Sequence, residues 1–261
     1  MHLQLSIQYT AGMCLLSFNW QPNSQTPLVM VANRDEFHHR PAKAADFWVD
    51  VPHMLAGIDL EAGGTWMGVT TDGYFAALTN VRKMPAPEKS PDQISRGALV
   101  KDFLAHRPDA QGYLQNIHKQ AHLYEGFNLV LGNKQQCWFL SNRNDHGPQA
   151  LAPGLYGLSN ADLNTPWPKV EYAKSQLQNW LDMQNAPLYS LLNRKETYPE
   201  HLQPNTGIGQ PWETMLSAPF IVSQAYGTRV STGLSIGPEI HWQEASFDQT
   251  GTLLNLIEHK I

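Results

Sequence analysis

The chain has 261 residues, 42% of them hydrophobic, with eight Trp and nine each of Tyr and Phe, so wholesale disorder is excluded. Its formal net charge of −5, with Lys and Arg scattered rather than clustered, offers a nucleic acid no basic footprint. Two cysteines, Cys14 and Cys137, exclude a disulfide framework, and no His or Cys spacing suits zinc, so neither a metal nor another cofactor is expected.

The first twelve residues, MHLQLSIQYTAG, lack the positive and apolar regions of a secretory signal. No later run reaches the roughly 18 apolar residues needed to cross a bilayer, so a cytoplasmic location without an integral membrane segment is expected. Met13-Cys14 follows at once, which marks residues 1–12 as an extension, a propeptide or a misassigned start.

Residues 13–20 and 27–33 are compact apolar runs around the polar turn 21–26 and predict a hairpin. The stretch 34–52, rich in His, Pro and Asp, follows without an assigned element. Strands are predicted at 65–71 and 74–80, joined by Asp72-Gly73, and a proline-rich surface loop or lid at 81–91. Ser95 is the expected N-cap of a helix over 96–106, and Asp109 that of a helix over 110–123.

Strands return at 126–132, 136–141 and 153–160. Thr165 and Pro166 predict the cap and first position of a helix over 167–183, and a short helix is expected at 187–193. The tail holds strand candidates at 220–223, 228–236 and 241–247. Strands, helices, strands, helix, strands, without steady alternation or repeat, imply an α+β fold, mainly antiparallel and a single domain over 13–261.

Cys14 lies one residue into the first predicted strand. A chain beginning there would set a free α-amine beside its own thiol, the pairing on which terminal-nucleophile catalysis depends; a lone strand Cys is otherwise commonly a core residue. Asn33-Arg34-Asp35-Glu36 follows the second strand, where a cation could lower the thiol pKa and a carboxylate could orient the amine. Arg34 and Asp35, being adjacent, point to opposite faces of an extended segment, so either Asp35 or Glu36 could be the assisting carboxylate. Asn80 and Asn160 both close strand-like runs, where a carboxamide can donate to an oxyanion or simply end a strand. Arg229 could fix a carboxylate or buttress the site, and Trp66 is a candidate substrate contact or packing residue.

The segments Met13-Cys14, 31–37 (VANRDEF), Arg40-Pro41, 63–68 (GGTWMG), Leu78-Thr79-Asn80, 126–129 (GFNL), 156–160 (YGLSN), Thr165-Pro166-Trp167 and 226–229 (YGTR) together resemble the NRDE family. Its eukaryotic representative is the transport and Golgi organisation protein 2. The resemblance runs over about residues 13–247. It implies a four-layer α-β-β-α, Ntn-hydrolase-like sandwich related to choloylglycine hydrolases and penicillin V acylases, which cleave linear amides through an N-terminal Cys. By position, Cys14, Arg34, Asp35, Asn80, Asn160 and Arg229 resemble the catalytic set of those enzymes, with Asn33, Glu36 and Trp66 as substrate-binding candidates. The expected partner is a small acylated substrate. The alternative is a hydrophobic cargo such as haem or an acyl lipid, carried without turnover. The sequence leaves the oligomeric state open.

Overall fold

A computed structural model describes residues 13–82 and 92–261. The expected extension over 1–12 and all but the first two residues of the expected lid lie outside the described residues. Thirteen strands and four α-helices follow in chain order: β1 (Met13–Trp20), β2 (Leu28–Phe37), β3 (Ala42–Trp48), β4 (Val51–Asp59), β5 (Met67–Thr70), β6 (Phe75–Asn80), α1 (Gly97–His106), α2 (Ala110–Lys119), β7 (Phe127–Gly132), β8 (Cys137–Ser141), β9 (Gln149–Ala150), β10 (Gly154–Leu158), α3 (Pro168–Met183), α4 (Gln210–Ser217), β11 (Tyr226–Ile236), β12 (Ile240–Phe247) and β13 (Leu253–Lys260).

These strands form two antiparallel sheets, ordered β10-β1-β2-β11-β12-β13 and β3-β4-β5-β6-β7-β8-β9. Strand side chains alternate between faces. Along the first sheet Leu16, Phe18, Trp20, Leu28, Met30 and Leu234 face inward, against Leu55, Val69, Phe75, Val130 and Phe139 of the second. The other face of the first sheet offers Leu15, Val29 and Val31 to Val170, Ala173 and Leu177 of α3. The second sheet buries Met54, Ala76 and Leu129 under Leu99, Phe103 and Leu114 of α1 and α2. The result is an α-β-β-α sandwich, in which each fully buried large side chain contributes about 1.5–3 kcal/mol. Among the described residues no helix is long and apolar enough to cross a membrane.

Among the polar ties between the two sheets is that of Glu244. Glu244 on β12 is 1% exposed and accepts the Ala45 N–H of β3 through Oε1 at 2.7 Å. Its Oε2 has no hydrogen-bond partner among the described residues, and burial raises its carboxyl to about 7.

Several expectations need correction. β2 runs on to Phe37, so Asn33-Arg34-Asp35-Glu36 is strand interior rather than a segment that follows the strand. The unassigned stretch 34–52 carries the end of β2, all of β3 and the start of β4. The α1 N-cap is Arg96, without a side-chain cap, while the Ser95 carbonyl accepts from Ala98 N–H. Asp109 does cap α2, accepting from Gly112 N–H at 2.7 Å, but a separate 3-10 turn at Ala121–Leu123 finishes the predicted helix. Trp167, not Thr165, caps α3, and Pro168 takes the first turn. The segment 220–223 is not a strand, whereas α4 and β13 are elements without a predicted counterpart.

Candidate active site around Cys14

β1 and β2 pair in a register that sets Cys14 opposite Arg34 and Met13 opposite Asp35. Alternation then divides the site between the two faces of one sheet. Cys14, half-buried, shares the inward face with Leu16 and Phe18, and with Arg34 and Glu36 across the ladder. Asp35 and Asn33 share the helix-covered face with Met13 and Leu15.

On the inward face, Arg34 is 5% exposed and stacks over the Trp66 ring at 4.6 Å. Its Nη2 lies 3.6 Å from Glu36 and 3.5 Å from Asp59, while Nη1 has no partner among the described residues. Trp66 is buried, and its ring lies so close to Gly57 that a Cβ there would come within 2.3 Å of Cη2. Arg40 joins the cluster through Asp59 at 2.8 Å. Burial holds the Cys14 thiol up at about 12, and the Asp35 carboxylate adds to this; Arg34 and the Asp35 N–H act in the opposite sense. Such a thiol needs an acceptor for its proton before it can attack.

On the opposite face, Asp35 is fully buried. Thr228 donates to its Oδ1 at 2.5 Å, and Oδ2 has no partner among the described residues. Burial raises this carboxyl to about 7 against the opposing pull of Lys169. Met13 fills an apolar recess of Leu216, Ala218, Ile221 and Tyr226, and its N–H donates to the Tyr226 hydroxyl at 2.9 Å. Arg82 places Nη1 3.2 Å from the Met13 sulfur and pairs with Glu213 at 2.9 Å.

Other predicted site residues are drawn to the same end of the sandwich. Asn160 donates to the Asn80 carbonyl at 2.9 Å and accepts from Ser159, whose hydroxyl also donates to the Cys14 carbonyl at 3.0 Å. Arg229 donates to the carbonyls of Phe37, His38 and Arg40, which is the geometry of a buttress for the turn after β2. Asn33 gives both amide hydrogens to the Leu192 and Pro219 carbonyls and accepts from Ser231, so it is bound to protein on the face away from the thiol. A cleft of about 530 Å³ opens beside Arg82, lined also by Ser141, Arg143, Asn144, Trp167 and Thr206, a size that suits a small molecule.

Lys169, Arg82 and Glu213 were not singled out by sequence, and Tyr226 and Thr228 entered only as members of the 226–229 segment. Lys169 in particular carries no local signal, since a Lys in the first turn of a helix is ordinarily solvated; here it is 3% exposed. That Lys169 acts electrostatically on the buried Asp35 is visible only in three dimensions. Among the described residues no group of three His, Cys, Asp or Glu could hold a metal.

Comparison with known proteins matches residues 13–247 to the family model described as Transport and Golgi organisation 2. A mouse protein, Transport and Golgi organization 2 homolog, is 34% identical over 253 residues, covering 88% of this chain and 90% of its own. A bovine homolog is 42% identical over 175 residues, 62% of each chain. Among solved structures, penicillin V acylase from Agrobacterium tumefaciens aligns with TM-score 0.46 and 10% identity over 94% of this chain and 86% of its own. A Caenorhabditis elegans N-acylethanolamine-hydrolyzing acid amidase ortholog aligns with TM-score 0.46 and 12% identity over 85% and 92%.

Proposed function

The chain belongs to the Transport and Golgi organisation 2 family, and from the geometry at Cys14 we propose that it hydrolyses a linear amide of a small acylated substrate through a thioester. The observation that carries this reading is the register of β1 and β2. It puts the Arg34 guanidinium across from Cys14 and a buried carboxylate, Asp35, across from the residue that precedes it. A chain beginning at Cys14 would present its α-amine toward Asp35, whose Oδ2 has no partner among the described residues.

In this mechanism the α-amine takes the thiol proton, and the thiolate attacks the amide carbon. The oxyanion is held by Asn80 and backbone N–H groups. Collapse breaks the C–N bond, and the leaving amine takes the proton back from the α-ammonium. Water, deprotonated by the same α-amine, then hydrolyses the thioester and releases the acid. Arg34 offsets the thiolate charge. Asp35 orients the amine, because it faces the residue-13 side, whereas Glu36 faces Arg34. Asn160 fixes the Asn80 backbone, Arg229 buttresses the turn beyond β2, and Trp66 supports Arg34 from below. Both cysteines being free, a reducing cytoplasm is the proposed location.

The test is the chain expressed to begin at Cys14, assayed against a panel of acyl amides beside Cys14→Ser. Turnover should fall at least about a hundredfold in the Ser variant, with a thioester adduct trapped on Cys14 by intact mass. Turnover unchanged in Cys14→Ser refutes the reading. A protein that hydrolyses none of the panel, yet binds a hydrophobic ligand equally in both forms, is a carrier instead.

A further inference from the structure

We infer that Lys169 is a positioning residue for this reaction, its buried ammonium keeping the α-amine of Cys14 in the unprotonated form that can accept the thiol proton. The inference rests on the reading above, since it presupposes a chain that begins at Cys14. An α-amine ordinarily titrates at about 8. At neutral pH most of it is therefore ammonium, which has no lone pair for the proton of an S–H group. A cation close by in a water-poor site disfavours that ammonium.

Lys169 stands in the first turn of α3, 3% exposed. Its Nζ donates to the Leu216 carbonyl at 3.0 Å and forms no ion pair among the described residues. Three of its neighbours surround residue 13. Leu216 packs on the Met13 side chain, Arg82 touches the Met13 sulfur, and Asp35 lies opposite Met13 across the β1–β2 ladder. Arg82, Lys169 and Leu216 line one recess, so the lysine shares the nest around residue 13.

The charges around that nest are Arg34, Asp35 and Glu36 on β2, Arg82 after β6, Arg96 ahead of α1, Lys169 on α3, Glu213 on α4 and the hydroxyl of Tyr226 on β11. Arg82 and Glu213 offset each other at 2.9 Å, Arg96 and Glu125 at 3.1 Å, and Arg34 faces Glu36 at 3.6 Å. Burial pushes Tyr226 well up, so it stays neutral. Asp35 and Lys169 are left. Burial pushes the Asp35 carboxyl up and the Lys169 ammonium down, each against the pull of the other. Relative to an apolar side chain at position 169, the buried ammonium adds positive charge beside residue 13, and that charge opposes an ammonium there.

The chain beginning at Cys14 is labelled with 13C-cysteine, and the pH titration of the N-terminal cysteine, which lacks a peptide nitrogen and so differs from Cys137, is followed by NMR. The wild-type amine should titrate about one pH unit below its ordinary value, Lys169→Met should restore that unit, and Lys169→Arg should leave the wild-type value in place. Lys169→Met titrating with the wild type overturns the inference. Should that variant not fold, a wild-type amine at its ordinary value overturns it alone. Alkylation of the same samples separates the two claims. An inert Cys14 thiol beside a low-titrating amine refutes the nucleophile and leaves the Lys169 effect standing, whereas a reactive thiol beside an ordinary amine refutes Lys169 only.

Discussion

Replacing Glu244 by Gln should make the protein more stable above neutral pH and leave it nearly unchanged in mild acid. The Gln carbonyl can still accept the Ala45 N–H at 2.7 Å. Its amide group replaces the Oε2 that has no partner among the described residues. Glu244 is 1% exposed and its folded pKa is raised by burial from 4.5 to about 7, so between those values the folded chain binds the proton more tightly than the unfolded chain. Stability contributed by the protonated carboxyl is complete below pH 4.5 and is lost as pH rises through 7. At 1.36 kcal/mol per pKa unit, the loss is on the order of 3 kcal/mol by pH 8. Urea unfolding of both proteins at pH 5 and pH 8 measures it. The gain from Glu244→Gln should be about 2–3 kcal/mol larger at pH 8 than at pH 5. An equal difference at the two pH values would refute the argument that burial of charge, rather than packing, governs this position.

Two further changes probe the supports of the site. Gly57→Ala should lower stability by about 1–3 kcal/mol in urea unfolding, because its Cβ would come within 2.3 Å of the Trp66 ring. It should also slow Cys14 alkylation by tilting Trp66 under Arg34; a variant equal to wild type in both measurements would dismiss that linkage. Asn33→Ala deprives the Leu192 and Pro219 carbonyls and the Ser231 hydroxyl of their buried partner, at a cost of about 2–4 kcal/mol. A loss under about 1 kcal/mol would mean that water replaces the amide and that Asn33 is not a strut.

Much of the sandwich was legible because apolar runs, and the Asp72-Gly73 turn between two of them, mark the strands that lie between layers. β3 and β4 were not, since their outer positions are half exposed and carry His, Pro and Asp, which blur alternation. β13 escaped notice for a related reason. Leu253, Leu254 and Leu256 are exposed on an edge strand, so no hydrophobic contrast betrays it. The end of β2 was placed too early because Arg34, Asp35 and Glu36 look solvated until their partners on β4, β11 and α3 are brought alongside. That adjacent Arg34 and Asp35 face opposite ways was readable from strand geometry, and the register gives it a meaning: the question of which carboxylate meets which group becomes one of faces. Lys169 and Arg82 were illegible, since their burial depends on α4, far along the chain.

Because Cys14 and Asp35 lie on opposite faces of the same two strands, the backbone ladder is a wall only one peptide thick between the thiol and the carboxylate. Each side has its own lining, an aromatic and guanidinium stack on one and an apolar recess with a buried lysine on the other. Side chains on the thiol's side can therefore be exchanged without disturbing the lining of the other side. Descendants of one ancestral chain can then diverge on one face of the sheet while keeping the other face intact.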